Sequence, residues 1–311
     1  MDILVTCPPM LKALKEKKSF IDDLGFNLNT PDVTQIMSED ELINLLPQYD
    51  GWIIGDDPAT RDVVRAGSLG KLKAAVKWGV GVDNINFDAF NEFSIPINNT
   101  PGVFGDEVSD VALGYVIGLA RDLFIIDRSV RVGHWIKPAG ISIKEKIFGV
   151  VGFGDIGKQF CKKIKQLGGF VRVYDPQYNQ RNLSNYDYVD EFVGWPNNIE
   201  TLDFIVLCCA LNKSNYHLIN KDIFSRAKDT LRIVNVGRGP LIDEKALINA
   251  LQNESIHSAA LDVFENEPLS LSSELIGFER CILGSHNASN SIDAVIKVSN
   301  QSLEMMKEML A

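Results

Sequence analysis

Apolar residues in the first third of the chain form short continuous runs that alternate with amphipathic stretches. These runs predict strands at residues 3–6, 51–54, 74–77 and 95–98. Between them, residues 38–46 predict a helix in which Ser38 is the N-cap and Glu41 completes a capping box. Continuous apolar strands separated by helices are typical of a parallel sheet covered on both faces. The pattern therefore predicts an α/β fold.

A second series of apolar runs begins after residue 100. It predicts six further strands, at residues 147–151, 171–174, 204–209, 233–236, 259–263 and 281–283. Six strands suit a doubly wound domain. The apolar stretch 103–120 predicts a long helix between the two series, and spaced apolar residues after 291 predict a last helix. Because no low-complexity linker separates the series, we expect two closely packed domains.

Length and charge limit the kinds of ligand. The chain has 311 residues, which corresponds to about two domains of ordinary size. Lys and Arg number 31 against 41 for Asp and Glu, so the formal net charge is -10. A chain that binds nucleic acid or an anionic membrane would carry the opposite excess. Neither partner is expected, and a small-molecule ligand is favoured.

The chain has no obvious membrane or export segment. Its longest apolar run, residues 111–120, is about half of what a bilayer requires. Pro8-Pro9 comes too early for an apolar signal region to precede it. The five cysteines form no C-x-x-C pair, which favours reduced, buried thiols in the cytoplasm and no metal site.

Three glycines follow the run at 147–151 with the spacing G-x-G-x-x-G, at Gly152, Gly154 and Gly157. Such glycines allow a tight turn, a close approach of backbone to a pyrophosphate, and close packing of helix on strand. The N-terminus of the following helix would present N–H groups to the phosphates. The buried face of that helix is expected to contain Ile156, Phe160, Ile164 and Leu167.

Asp175 ends the next predicted strand, 18 residues after Gly157. An acidic residue there accepts hydrogen bonds from the adenosine ribose and repels a 2′-phosphate, so NAD is preferred over NADP. The alternative role for Asp175 is to cap a turn before Pro176. Arg172, on the same strand, is expected to be solvated rather than to bind a 2′-phosphate.

Charged residues follow three later strands, where a doubly wound sheet places its site. Arg238 lies between two glycines and is suited to binding a carboxylate through two parallel hydrogen bonds, or else is a surface residue. Carboxylates occur at Asp262, Glu265 and Glu267. His286 follows the last strand and is either catalytic or an ordinary loop residue. The other histidines, His134, His217 and His257, are expected at the surface.

Together these motifs resemble the D-isomer-specific 2-hydroxyacid dehydrogenases, the family that includes D-3-phosphoglycerate dehydrogenase. The matching segments are Gly79–Asn84, Thr100–Gly102, Gly152–Gly157, Asn235–Gly239, Leu261–Pro268 and His286. The resemblance implies that Arg238, Glu267 and His286 form the active site. It also implies that Asp262 holds the nicotinamide carboxamide, and it gives Glu265 no role.

The resemblance implies a domain arrangement as well. Residues 1–99 and 288–311 would form a flavodoxin-like substrate domain, and residues 100–287 an inserted Rossmann domain for NAD. A homodimer through the cofactor domains is expected. Substrate would contact Trp78, Gly79, Val80 and Arg238. The expected cofactor contacts are Gly152, Gly154, Asp155, Ile156, Gly157, Asp175, Cys209, Val236, Gly237 and Asp262.

The implied reaction is hydride transfer between NAD and a D-2-hydroxy acid or its 2-keto acid, with His286 as acid and base. Two alternatives share the fold and the catalytic residues: a corepressor-like regulator that senses NAD, and a phosphite dehydrogenase. Formate dehydrogenases are disfavoured because they have glutamine where Glu267 stands. Gly55 replaces an arginine that phosphoglycerate dehydrogenases commonly have, which argues against a phosphorylated substrate.

Overall fold

A computed structural model describes residues 1–14 and 25–311, and these residues form two compact units. The first contains Met1–Phe104 and Ser289–Ala311, and the second contains Gly105–Ala288. None of the helices in these described ranges combines the length and apolar character needed to cross a membrane.

The two units are built from parallel strands and intervening helices. The strands are β1 (Asp2–Val5), β2 (Asn27–Asn29), β3 (Gly51–Ile54), β4 (Ala74–Lys77), β5 (Ile97–Asn99), β6 (Ile147–Val151), β7 (Phe170–Tyr174), β8 (Glu191–Val193), β9 (Phe204–Leu207), β10 (Arg232–Asn235), β11 (Ser258–Leu261) and β12 (Cys281–Leu283). The α-helices are α1 (Pro8–Leu14), α2 (Glu39–Leu45), α3 (Arg61–Ser68), α4 (Phe87–Glu92), α5 (Gly105–Arg121), α6 (Leu123–Arg131), α7 (Asp155–Gln166), α8 (Lys221–Arg226), α9 (Glu244–Gln252) and α10 (Ile292–Leu310).

The first unit is a five-stranded sheet with the order β2-β1-β3-β4-β5. All its strand pairs are parallel, which gives the flavodoxin-like order. The predicted capping box of α2 is confirmed, because Ser38 Oγ accepts from Glu41 N and Glu41 Oε2 accepts from Ser38 N. Strand β5 begins two residues later than predicted, and β2, a short edge strand, was not predicted.

The second unit is a seven-stranded parallel sheet with the order β12-β11-β10-β9-β6-β7-β8. The six strands from β8 to β11 have the Rossmann order. Strands β7 and β8 lie on one side of β6, and β9, β10 and β11 lie on the other, so the order of the strands switches between β6 and β9. The predicted α/β, doubly wound fold is therefore confirmed for both units. In the core, the rings of Phe148 and Phe204 stack with centroids 4.7 Å apart.

Strand register brings the ends of these strands to one edge of the sheet. Val151 pairs with Tyr174 and Leu207, and Leu207 pairs with Asn235. Leu261 continues the same row, opposite Asn235. Residues that directly follow these strands therefore lie along a common edge, which is where doubly wound sheets bind ligands.

The structure corrects two expectations about the second unit and adds one helix. Arg172 is not solvated: it is 7% exposed, its Nε donates to the Glu191 carboxylate, and its Nη1 lies 2.6 Å from Thr201 Oγ1. Leu167 is not on the buried face of α7; it is the C-cap residue and is 43% exposed. The helix predicted at 103–120 is confirmed as α5, but α6, which follows it directly, was not predicted.

Candidate active site

The three glycines after β6 form an open cradle at the N-terminus of α7. A Cβ on Gly152 would lie 2.7 Å from Cys209 Cβ, and one on Gly157 would lie 2.1 Å from Gly152 O. A Cβ on Gly154 would have no described atom within 4 Å. Gly154 is the N-cap and offers no side chain to the first turn, so those N–H groups are left for a ligand. This geometry fits a dinucleotide pyrophosphate.

The neighbouring strand ends lie close to this cradle. A Cβ on Gly237, after β10, would be 2.8 Å from Cys209 O, and Val236 beside it is buried. Burial raises the pKa of the Cys209 thiol to about 11, so the thiol is neutral at physiological pH. Asp155, at the first position of α7, is exposed and lies against Gly105, while Ile156 is half-buried.

Asp175, directly after β7, connects the glycine turn to the segment that follows. Its Oδ2 accepts from Phe153 N at 3.2 Å, and its Oδ1 accepts from Gln177 N at 3.0 Å. Arg181 Nη2 donates to the same Oδ1 at 3.2 Å. Asp175 therefore caps the turn at Pro176, as the alternative interpretation held, and it also lies beside the glycine cradle.

His286 and Glu267 form a direct pair. His286 Nδ1 lies 2.7 Å from Glu267 Oε2, and Glu267 Oε1 accepts from Phe264 N at 2.9 Å. The backbone of His286 has a positive φ of 53° and donates its N–H to Asp262 O at 2.7 Å. The histidine ring is thus oriented by a carboxylate that is itself fixed to the backbone of the preceding loop.

Asp262 is buried at the end of β11 and holds the segment that carries His286. Its Oδ2 accepts from Ala288 N at 2.8 Å, and its Oδ1 accepts from Asn287 N and from Tyr115 Oη, both at 3.2 Å. Burial and the Asp262 charge raise the pKa of Tyr115, so the phenol stays protonated and donates. Both oxygens of Asp262 therefore have defined partners.

Arg238 lies in a tightly constrained loop after β10. Its carbonyl accepts from Asn235 Nδ2 at 2.9 Å, and Asn235 Oδ1 accepts from Gly237 N at 3.0 Å. A Cβ on Gly239 would lie 1.8 Å from Phe264 O, so only glycine fits between this loop and the loop of Glu267. The segments of Arg238 and Glu267 are thereby packed directly against each other.

A polar cluster beside the loops of Arg238 and Glu267 was not predicted from the sequence. His217 and His257 are half-buried rather than surface residues. His217 Nε2 lies 2.8 Å from Glu265 Oε1. Glu244 N donates to the same Oε1 at 3.0 Å, and His217 N donates to Pro240 O at 2.8 Å. Glu265, which the family resemblance left without a role, therefore ties the two loops together. His217 and Glu265 are 48 residues apart, so no local pattern could have paired them.

In the first unit, Trp78, Gly79 and Val80 follow β4. Trp78 is buried, and its Nε1 donates to Ser299 Oγ at 3.2 Å. Gly79 has a positive φ of 119° and donates its N–H to Thr100 Oγ1 at 2.8 Å. Val80 is 39% exposed. Trp78 is therefore packed into its own unit, which leaves the backbone at Val80 as the accessible part of this loop.

Comparison with known proteins places this arrangement in a family. Residues 113–288 match the model of the D-isomer-specific 2-hydroxyacid dehydrogenase NAD-binding domain. The chain is similar to a hydroxypyruvate reductase of Thermotoga maritima, with 31% identity over 277 residues that cover 86% of this chain and 87% of that protein. It is also similar to a glyoxylate/hydroxypyruvate reductase of Arabidopsis thaliana, with 30% identity over 314 residues covering 97% and 93%.

A solved structure agrees with these sequence matches. The apo-structure of D-lactate dehydrogenase from Escherichia coli superposes with a TM-score of 0.84, 26% identity, and coverage of 99% of this chain and 96% of that one. The glycine cradle fits the dinucleotide that the matched domain binds. The chain is a member of the D-isomer-specific 2-hydroxyacid dehydrogenase family, and its cofactor is NAD.

Proposed function

We propose that this chain interconverts a small D-2-hydroxy acid and its 2-keto acid. The observation that carries the proposal is the 2.7 Å pair of His286 Nδ1 and Glu267 Oε2, on the sheet edge that also holds the glycine cradle. An imidazole oriented by a carboxylate is well suited to general acid–base catalysis. Bound NADH supplies the hydride in the direction of reduction.

His286 is the acid and the base in this proposal. During reduction the protonated ring donates its proton from Nε2 to the developing alkoxide, and during oxidation it removes that proton. Glu267 fixes the tautomer through Nδ1 and favours the imidazolium, since its negative charge lies beside the ring. General acid–base catalysis of this kind contributes about 10²–10⁴-fold to the rate.

Arg238 binds the substrate carboxylate and polarises the keto oxygen. A guanidinium forms two parallel hydrogen bonds to a carboxylate, and its charge also stabilises the alkoxide as it develops. Asp262 is assigned to the nicotinamide carboxamide. The hydrogen bonds that fix Asp262 and the Arg238 loop support these roles, because a preorganised group loses little entropy when it binds.

Substrate binding is assigned to residues 1–99 with 288–311, and cofactor binding to residues 100–287. In the substrate domain we assign substrate contact to the loop Trp78-Gly79-Val80, chiefly through the backbone at Val80. An unphosphorylated substrate is favoured by Gly55, where a Cβ would already lie 3.0 Å from both Cys7 Cα and Thr6 O. Glyoxylate and hydroxypyruvate are the first substrates to test, because they appear in the names of similar proteins.

A homodimer is part of the proposal. Helix α6 has no buried residue among its nine, and several large apolar side chains on it and just after it are exposed. These are Leu123, Phe124, Val130, Val132 and Trp135. An exposed apolar surface of this kind favours association. We place the enzyme in the cytoplasm, since all five cysteines are free thiols.

The test is a panel of 2-keto acids assayed by loss of NADH absorbance. Turnover of glyoxylate, hydroxypyruvate, pyruvate or a bulkier 2-keto acid is expected, and the product should be the D-isomer wherever the product is chiral. Tight NADH binding with no turnover of any panel member would contradict the proposal and favour an NAD-sensing regulator. Oxidation of phosphite but of no hydroxy acid would favour a phosphite dehydrogenase.

A further inference from the structure

The carboxylate expected to repel a 2′-phosphate already has a cation against it. Arg181 Nη2 lies 3.2 Å from Asp175 Oδ1, and both side chains are mostly buried. Asp175 also accepts backbone N–H groups from Phe153 and Gln177. The negative charge of Asp175 is therefore locally compensated, and its repulsion of a further phosphate is weakened.

A second cation, Lys158, lies near the glycine turn. The ring of Phe153 is buried, 2% exposed, within the G-x-G turn. Arg181 Cζ lies 5.5 Å from the centroid of this ring, and Lys158 Nζ lies 5.7 Å from it. Both distances are in the range of cation–π attraction. Two cations thus lie near the ring of Phe153, and the N–H of Phe153 donates to Asp175 Oδ2.

The guanidinium of Arg181 retains a donor that is not used. Its Nε is buried and has no hydrogen-bond partner among residues 1–14 and 25–311. Its contact with Asp175 is a single one, at 3.2 Å, rather than a bidentate pair. A phosphate accepts two parallel hydrogen bonds from a guanidinium and carries more charge than a carboxylate. A 2′-phosphate would therefore be a stronger partner for Arg181 than Asp175 is.

We propose that Arg181 determines the cofactor specificity of this site, so that the enzyme binds NADPH as well as NADH. In this proposal Arg181 remains paired with Asp175 when NADH is bound and turns to the 2′-phosphate when NADPH is bound. The inference rests on the proposed placement of the adenosine ribose at Asp175, and it replaces the expectation that Asp175 alone excludes NADP.

The test is a set of dissociation constants for NADH and NADPH, measured with the full chain by quenching of protein fluorescence without substrate. In Arg181→Gln we expect the Kd for NADPH to rise by roughly 10- to 100-fold, because a charge-assisted contact is lost. The Kd for NADH is expected to change by less than about threefold. The control is Arg226→Gln, an arginine on α8 with a half-exposed side chain, which should change neither constant. Melting temperatures show that each variant is folded.

The outcomes separate the proposal from the assignment that it rests on. A rise in the Kd for NADPH alone supports the role of Arg181. An unchanged Kd for NADPH, or an equal rise for both dinucleotides, overturns it. The variant Asp175→Asn tests the ribose assignment by itself, because it should weaken NADH and leave NADPH bound through Arg181. If the folded wild-type chain bound neither NADH nor NADPH, both the cofactor site and this proposal would be overturned.

Discussion

Nδ1 of His286 lies 2.7 Å from Oε2 of Glu267, and the second oxygen of the same carboxylate is held by the N–H of Phe264. The histidine is thus oriented by a carboxylate that cannot rotate without losing a backbone hydrogen bond. Since the N–H of His286 is also bound, to Asp262 O at 2.7 Å, both the ring and its backbone are fixed before substrate arrives.

The first prediction concerns this pair. Glu267→Gln keeps the shape of the side chain and removes the charge that stabilises the imidazolium. We expect kcat to fall by tenfold or more, within the roughly 10²–10⁴-fold range of acid–base catalysis, and the Kd for NADH to stay unchanged. Steady-state kinetics and NADH titration measure both quantities. The exposed Glu279→Gln is the matched control, and a Glu267 variant that turns over as fast as this control would argue against the pair.

The second prediction concerns the anchor of the His286 segment. Asp262→Asn replaces one acceptor oxygen by an amide that faces the N–H groups of Asn287 or Ala288. Leaving buried donors without an acceptor should reduce the free energy of unfolding by about 1–3 kcal/mol. Tyr115→Phe, which removes only one hydrogen bond, should cost about 0.5–1.5 kcal/mol. Denaturant unfolding compares the two, and equal losses would contradict an anchoring role for the carboxylate.

The third prediction uses two glycines of the same turn. Gly154→Ala should fold normally, because its Cβ meets no described atom within 4 Å, yet it should raise the Kd for NADH tenfold or more by filling the cradle. Gly157→Ala should instead be unstable by about 1–3 kcal/mol, since its Cβ would lie 2.1 Å from Gly152 O. Thermal melts and NADH titrations distinguish the two effects. If Gly154→Ala bound NADH normally, the assignment of the pyrophosphate to this cradle would be contradicted.

The fourth prediction concerns pH. The pKa of Glu244 is raised above 4.5 by burial and by the charge of Glu265. Its charged form is therefore less favourable in the folded chain than in the unfolded chain. The charge of Glu244 therefore costs the folded chain stability. This loss is absent at pH values below the pKa of Glu244 in the unfolded chain, grows as the pH rises toward its pKa in the folded chain, and is complete above that value.

Glu244→Gln removes that loss and keeps an oxygen that accepts from Glu265 N. The variant should therefore melt at a higher temperature than the wild type at pH 7, and the difference should vanish near the pH where Glu244 is protonated in both states. The exposed Glu308→Gln serves as the control. A gain in stability that is the same at both pH values would show that charge is not its cause.

The main strands could be predicted from sequence because each is a continuous apolar run buried on both faces. Strands β2 and β8 were not predicted: each has three residues, begins with a polar residue and contains no fully buried one. The same strand β8 explains the error at Arg172. Its partner Glu191 belongs to this unpredicted strand, so the sequence offered no reason to bury a guanidinium.

The site residues were foreseeable to different degrees. Arg238 and His286 each follow a strand, and strand order alone brings such residues to one edge. The hydrogen bond of Glu265 to His217 and the contact of Arg181 with Asp175 depend on how loops fold back, which no periodic pattern records. Both contacts modify a predicted site rather than create one. The first ties two loops together, and the second changes the charge beside Asp175.

The most direct test of the proposed function is the kcat of His286→Ala with NADH and whichever 2-keto acid the wild-type chain reduces best. Removing the proton donor should lower kcat by about 10²–10⁴-fold, while the Kd for NADH stays within about twofold of the wild-type value. A kcat equal to that of the wild type would contradict the assignment of His286 as the acid and base.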